Sequence, residues 1–355
     1  MSKPARASVM FRSVVKRYGA VRAVDDVSFT IEPGTLVTLL GPSGCGKTTT
    51  LRLIAGLEIA SAGQILIGGE DVTQRSAAER DVSMVFQSYA LFPHMSVFEN
   101  VAYGPAVRRL PRARIRELVQ ATLSQVGLSG LEGRSPSELS GGQQQRVAVA
   151  RALVMEPQVL LFDEPLSNLD AKLRRRVREE IRELQRKLNL TVAYVTHDQE
   201  EALAISDRVI VMENGRIAQA GTPVELYEQP ASVFVADFIG DANILDAELV
   251  EERGDRARVR LGPLELDLPR RGAVKGPVKL AVRSEAIAIS ASPLGQPSLA
   301  GRVSKSAYLG RHLEYSVETA VGALFVIDHS GQPLAAPGTS AWITFANRNI
   351  MLLPR

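Results

Sequence analysis

A lysine and two threonines close a run of small residues, Gly41-Pro42-Ser43-Gly44-Cys45-Gly46-Lys47-Thr48-Thr49. Glycines at this spacing let backbone N–H groups converge on an anion that side chains would otherwise obstruct. The apolar run Leu36–Leu40 before it reads as a strand, and residues 48–57 after it as a helix whose N-terminus adds positive potential. Between strand and helix, the run matches the phosphate-loop pattern in full. Lys47 then reaches the β- and γ-phosphates of a nucleotide, and Thr48 offers its hydroxyl to Mg²⁺. An inconsequential glycine-rich turn is the bland alternative, and the complete spacing in this context outweighs it. Cys45 reads as a small filler beside the phosphates rather than a redox sensor. Farther on, Val159-Leu160-Leu161-Phe162-Asp163-Glu164 ends an apolar run in two carboxylates. Asp163 is placed to hold Mg²⁺ through water and Glu164 to polarise an attacking water. Alone, such a pair could be a solvated turn; the lysine loop upstream favours the functional reading.

A phosphate loop is shared by many nucleotide-using proteins, and a second cradle narrows the choice. Leu139-Ser140-Gly141-Gly142-Gln143 is another glycine-opened helix start, with a serine hydroxyl and free N–H groups suited to a γ-phosphate. One ATP does not need two anion cradles from one chain. With its continuation Gln144-Gln145-Arg146-Val147-Ala148-Val149-Ala150-Arg151-Ala152, the segment resembles the signature motif of the ABC ATPases letter for letter. That resemblance implies a head-to-tail homodimer with composite sites, in which Ser140, Gly141, Gly142, Gln143 and Asp170 serve the partner's ATP. It also implies roles for three further positions, Gln87, His197 and Tyr18, and a more specific one for Asp170. Gln87 resembles the Q-loop glutamine that contacts Mg²⁺ and couples to membrane subunits, and His197 the switch histidine at the γ-phosphate. Asp170, in Ser167-Asn168-Leu169-Asp170, resembles the D-loop aspartate, and it can equally cap the helix that follows. Tyr18, in Arg17-Tyr18-Gly19, resembles the aromatic that stacks on adenine.

The resemblance narrows further. Gln87-Ser88-Tyr89-Ala90-Leu91-Phe92-Pro93-His94-Met95-Ser96-Val97 is similar to the segment that docks membrane subunits in the maltose, polyamine and ferric-ion importer branch. Phe234-Val235-Ala236-Asp237-Phe238-Ile239-Gly240 matches that branch's junction to a C-terminal β domain, called TOBE. Val282-Arg283-Ser284-Glu285-Ala286-Ile287 stands where sugar importers carry Arg-Pro-Glu-His, which points away from a sugar. Phe238-Ile239-Gly240-Asp241-Ala242-Asn243 and Tyr308-Leu309-Gly310 look most like ferric-ion, polyamine or phosphonate importers, and the reading leans to ferric ion or polyamine. The implied partners are a second copy of the chain, two membrane-spanning permease subunits and, indirectly, an extracytoplasmic solute-binding protein. The implied place is the cytoplasmic face of a bacterial inner membrane.

Such a site needs elements that bring distant loops to one edge. Residues 159–162 and 191–195 are further buried runs, as expected of parallel strands covered by helices on both faces. Residues 112–126 carry Ile115, Leu118, Val119, Leu123 and Val126 on one helical face, and Ala171–Leu188 does the same with Leu173, Val177, Ile181, Leu184 and Leu188. The expected fold is an α/β P-loop nucleotide-binding domain over residues 1–240, with a helical subdomain at about 90–155. From residue 241 to 355 the pattern changes to short β-prone runs, at 257–261, 278–282, 314–319, 324–327 and 342–345. These predict a small all-β, barrel-like domain of the TOBE or OB type. The 355 residues are 45% hydrophobic and 23% charged, which excludes disorder. A net charge of +3 argues only weakly for nucleic acid. A soluble ABC ATPase working on nucleic acid would call for a coiled-coil insertion, zinc-type cysteines or two cassettes, and the chain has one cysteine and one phosphate loop. Residues 1–10 hold Lys3 and Arg6 but no apolar core, so no signal peptide is expected there. No apolar run is long enough to span a bilayer, and membrane association is expected through a partner.

Overall fold

Strands that are apolar on both faces must be covered from both sides, and those of this chain form the centre of an α/β sandwich. The computed structural model describes residues 6–293, 297–330, 336–346 and 349–353, so that Lys3 lies outside the described residues. The chain forms two compact units, Met1–Pro223 and Val224–Arg355.

In the first unit the chain runs β1 (Val9–Tyr18), β2 (Val21–Ile31), β3 (Leu36–Leu40), α1 (Lys47–Ala55), β4 (Ala62–Ile67), β5 (Glu70–Asp71) and β6 (Val82–Val85). It continues through α2 (Val97–Val107), α3 (Arg112–Gln125), α4 (Gly141–Leu153), β7 (Val159–Asp163), α5 (Ala171–Leu188), β8 (Thr191–Thr196), α6 (Gln199–Ile205), β9 (Arg208–Glu213) and β10 (Arg216–Gly221). The central sheet has the order β10-β9-β3-β8-β7-β6, all parallel except β10 at one edge. Alternation along its strands divides the core in two. Leu36, Leu160, Phe162, Val192 and Tyr194 face α2 to α5, whereas Val37, Leu39, Leu161, Ala193 and Val195 face α1 and a second sheet. That second sheet is antiparallel, in the order β2-β1-β4-β5. The expected helical subdomain is α2, α3 and α4, with Val119 and Leu123 of α3 fully buried.

The second unit opens on α7 (Pro223–Glu228) and α8 (Val233–Phe238) and is otherwise antiparallel β. Its strands are β11 (Asn243–Arg253), β12 (Arg256–Leu261), β13 (Leu264–Pro269), β14 (Gly276–Val282), β15 (Ile287–Ser290), β16 (Leu299–Tyr308), β17 (Leu313–Thr319), β18 (Gly322–Asp328), β19 (Ser340–Phe345) and β20 (Ile350–Leu352). They form two five-stranded sheets, β13-β12-β11-β14-β20 and β15-β19-β16-β17-β18, around one apolar core. The compact unit therefore begins at Val224, ahead of the change in sequence character near Gly240. Arg283 supplies the reason. Fully buried after β14, it donates Nη1 to the carbonyls of Ala236 (2.7 Å) and Ile239, and Nη2 to that of Tyr227 (2.8 Å). Both helices are thereby tied to the β strands that follow them in sequence.

Candidate functional site

The parallel register brings the ends of four strands to one edge of the central sheet. Leu39 and Asp163 are both paired with Val195, Leu40 with Thr196, and Val85 with Phe162. The loops beginning at Gly41, Phe86, Glu164 and His197 must all leave from that edge, which in open parallel sheets is where ligands bind.

The loop after β3 has the shape its glycines dictate. Gly46 sits at φ 105°, and a Cβ there would come within 2.3 Å of the Ala23 carbonyl oxygen. At Gly44, with φ 79°, the space is open. The Lys47 ammonium is buried and crosses beneath the loop, donating to the carbonyls of Gly41 (2.7 Å) and Pro42 (2.9 Å). Cys45 is buried in the loop, and burial pushes its thiol pKa up, which makes it an inert filler. Thr48 Oγ1 lies 3.4 Å from Asp163 Oδ1, so the hydroxyl and carboxylate chosen from sequence as Mg²⁺ ligands share one point. An all-oxygen pair of this kind suits a hard cation that keeps most of its waters. Burial raises the Asp163 pKa, with the charge of Glu164 a lesser contribution in the same direction.

Glu164 is the strained residue of the site. Its φ of 45° is in the left-handed region, and its N–H is held by the Val195 carbonyl at 3.0 Å. The turn aims its carboxylate at His197, whose Nδ1 is 3.0 Å from Oε2. His197 is itself exposed, and the groups that fix its loop were not singled out in the sequence. Glu201, 3% exposed, accepts from Thr196 Oγ1 at 2.7 Å and from the Tyr194 hydroxyl. Thr196 Oγ1 in turn accepts the Asp198 N–H at 3.0 Å, and Asp198 Oδ1 caps α6 by accepting from Glu201 N–H at 2.9 Å. The legible signal was Thr196, Asp198 and Glu201 spaced around one histidine, a Ser/Thr/Asp capping pattern.

The other residues chosen from sequence fall as follows. Gln87 is exposed just past β6, and its carbonyl accepts from Asn168 Nδ2 at 3.1 Å, which links this loop to the segment before Asp170. Beyond it, Tyr89 and Ala90 both have positive φ, and Arg151 of α4 donates to their carbonyls at 2.8 and 2.7 Å. Asn100, wholly buried, fixes the rest of that segment through Phe92, Met95 and Ser96. Ser140 is the N-cap of α4 in a reciprocal box with Gln143, which donates its N–H to Ser140 Oγ at 3.4 Å and accepts the Ser140 N–H at 2.9 Å. A Cβ on Gly141 would stand 3.2 Å from Leu169, and one on Gly142 3.0 Å from Leu173. Asp170 caps α5 by accepting from Leu173 N–H at 3.0 Å. The Tyr18 ring is largely exposed, under the Lys16 ammonium at 4.8 Å. Its hydroxyl interacts with Glu58 and with Thr49 of the phosphate loop; partial burial, then Glu58, raises its pKa.

A family model described as ABC transporter matches residues 24–167, which include the phosphate loop, Gln87, Ser140 and Asp163-Glu164. Relatives match along nearly the whole chain. The "Fe(3+) ions import ATP-binding protein FbpC" of Agrobacterium fabrum is 60% identical over 98% of both chains. The protein of that name from Vibrio cholerae is 48% identical over 98% of this chain and 97% of its own. This chain belongs to the ABC transporter ATP-binding family.

A second family model, the TOBE domain, matches residues 280–353, from β14 to β20. Among solved structures, cbiO1 from Clostridium perfringens, part of the ABC transporter complex cbiONQ, is similar with a TM-score of 0.59 and 30% identity. It covers 62% of this chain and 90% of its own. The fold expected from sequence is thus the one found: an ABC-type P-loop domain carrying a helical subdomain, then an all-β TOBE domain. No described helix is long and apolar enough to cross a membrane. As a member of this family the chain binds ATP and is an ATPase subunit of a transport complex.

Proposed function

We propose that this chain hydrolyses ATP to drive import of ferric ion through separate membrane subunits. The observation that carries the solute is the 55–60% identity, over 97% or more of each chain, to several proteins named for Fe(3+) import. In the proposed cycle two copies close head to tail on two nucleotides. Lys47 and the loop N–H groups hold the phosphates, Thr48 and Asp163 hold Mg²⁺ with Gln87 beside them, and Tyr18 stacks on adenine. Mg²⁺, when bound, offsets charge on the phosphate oxygens. Glu164 polarises the attacking water, and His197 on its other side keeps that carboxylate oriented and contacts the γ-phosphate. Ser140 through Gln143 and Asp170 close the site of the opposite copy. Closure turns two permease subunits outward to receive solute from an extracytoplasmic binding protein, and hydrolysis resets them. The chain works at the cytoplasmic face of the inner membrane and does not itself touch the solute.

The test is uptake of radiolabelled Fe(III) and of a labelled polyamine by cells from which the gene is deleted. Iron uptake should fall and return with the wild-type gene but not with Lys47→Ala. The purified variant should stay folded and lose about a hundredfold or more in turnover, because charge stabilisation dominates phosphoryl transfer. A deletion that lowers polyamine uptake and spares iron would overturn the solute, and wild-type turnover in Lys47→Ala the site.

A further inference from the structure

Positive charge is concentrated at one corner of the helical subdomain. Residues 108–117, Arg108-Arg109-Leu110-Pro111-Arg112-Ala113-Arg114-Ile115-Arg116-Glu117, hold five arginines and one glutamate, a surplus of four on a chain whose whole net charge is +3. They make the turn from α2 to α3 and the first turns of α3. Two of the five arginines are committed. Arg114 pairs with Glu117 at 2.8 Å, and Arg108 shares a depression with Glu79, Asp81 and Glu156. Arg109, Arg112 and Arg116 are exposed, and none of them has an ion-pair partner among the described residues. Arg112 and Arg116, one helical turn apart, line a shallow groove with Ala113, Glu117 and Gln120.

These charges do little for the fold that carries them. Arg109 takes a left-handed φ of 57° just past the end of α2, where glycine is the usual residue. Arg112 opens α3 at the end where a cation opposes the helix dipole, and no acidic residue in that first turn offsets it. Just before the turn, α2 presents an apolar pair to solvent: Tyr103 and Val107, four residues apart, are 44% and 64% exposed. Cations beside exposed apolar side chains are the composition of a surface that settles into a membrane interface, whereas a phosphate-tracking groove for nucleic acid has no use for a valine.

We propose that this corner is a docking surface for an anionic lipid bilayer. Arg109, Arg112 and Arg116 meet headgroup phosphates, and Val107 and Tyr103 reach the boundary beneath them. The chain would thus hold the membrane directly as well as through its partners. Its use in the cell rests on the membrane role proposed above. Vesicle binding is measured without iron, ATP or partner subunits, so that its failure leaves that role standing.

The full-length chain is sedimented with vesicles of phosphatidylcholine alone, or with about one third phosphatidylglycerol to supply the negative surface. Binding should require the anionic lipid and weaken as salt rises from about 50 to about 200 mM. Each arginine at such a surface is worth about fivefold, so Arg112→Gln with Arg116→Gln should weaken binding about thirtyfold. Lys305→Gln with Arg311→Gln makes the same change of net charge at exposed positions of the second unit and should leave binding unchanged. Val107→Ser should weaken it severalfold with the salt dependence intact. A single-stranded oligonucleotide at equal phosphate concentration should compete poorly. Absence of binding to the anionic vesicles, unchanged binding in the Arg112 and Arg116 variant, or an equal loss in the Lys305 and Arg311 variant would each overturn the surface. An oligonucleotide held more tightly than the vesicles by the same two arginines would overturn it in favour of nucleic acid, and unchanged binding in Val107→Ser would overturn its apolar half.

Discussion

Within the site, the residue with the most leverage after Lys47 and Glu164 is one that touches no phosphate. Glu201 is buried, burial raises its pKa, and it holds Tyr194 and Thr196, neighbours on one face of β8 just before His197. A carboxamide of the same shape can accept from one hydroxyl and donate to the other, without the desolvation of a charge. Glu201→Gln should keep near-wild-type turnover and gain stability. The gain should grow with pH, because a carboxyl whose folded pKa is raised stabilises the fold below its ordinary pKa of 4.5 and loses that contribution as pH rises through the folded value. Glu201→Leu removes both acceptors and should lower kcat about tenfold with little change in KM for ATP, since His197 is displaced and the phosphate loop is not. Steady-state kinetics and thermal melts on the two variants check this. A leucine variant with wild-type kcat would remove Glu201 from the mechanism.

The elements differ in how openly the sequence announces them. In the second unit, α7 and α8 are fixed by Arg283, which also lies 4.2 Å over the Tyr227 ring, and the Tyr227 hydroxyl donates to Glu285. Burial first, and the Glu285 carboxylate second, push the Tyr227 pKa up to about 12 from 10.0. A phenol held neutral in this way lends stability fully below pH 10.0 that is lost as pH rises toward about 12. Urea melts of the full chain should show the transition that reports the β unit weakening across that window, and Tyr227→Phe should flatten the dependence. Arg283→Met should cost that unit about 3 kcal/mol, since it leaves three carbonyls without donors. None of this was legible, because Arg283 in a sequence is an exposed cation until a fold surrounds it. The same holds for Asn100 and Arg151, which fix the segment after Gln87 through backbone carbonyls that carry no sequence signal. By contrast β3, β7 and β8 were plain as continuous apolar runs, and α5 appeared with its observed bounds because its apolar face repeats cleanly. The strands β1 and β2 were not read at all. Register shifts between Phe11 and Val14, Val14 and Lys16, and Lys16 and Arg17 break their period of two, and Ser13 and Asp26 have positive φ. The residues of the proposed site carry motifs in the sequence, and the groups that support them in the fold do not.

For the molecule as a whole, the head-to-tail dimer proposed above would make nucleotide an adhesive between copies. Glu164→Gln should slow hydrolysis and leave ATP bound, so that the variant dimerises or tightens when ATP is added. Ser140→Arg in that background should block tightening, because its side chain would occupy the partner's phosphate position, while each chain still binds ATP. Disulfide trapping between cysteines placed at Ser43 and Gly141 of opposite copies, with sedimentation, reads this out; equal trapping in the double variant would falsify the composite site. The division of the chain gives a second expectation. Truncation after Pro223 should leave a folded, ATP-binding first unit, whose core is self-contained. Truncation after Asp241 keeps α8 but strips the partners of Val235, Ala236 and Ile239, all fully buried in the whole chain. That longer piece should be the less soluble of the two, as limited proteolysis and light scattering would show.

The glycines of the signature have two employers. Gly141 and Gly142 leave room for Leu169 and Leu173 inside their own copy, whatever they do for the nucleotide of the other. Ser140 is different, since asparagine, aspartate or threonine would cap α4 as well. A descendant that abandoned hydrolysis and kept only its fold would therefore drift first at Ser140 and last at the two glycines. The glycine pair is thus a record of architecture, and the serine before it the better witness to whether a lineage still burns ATP.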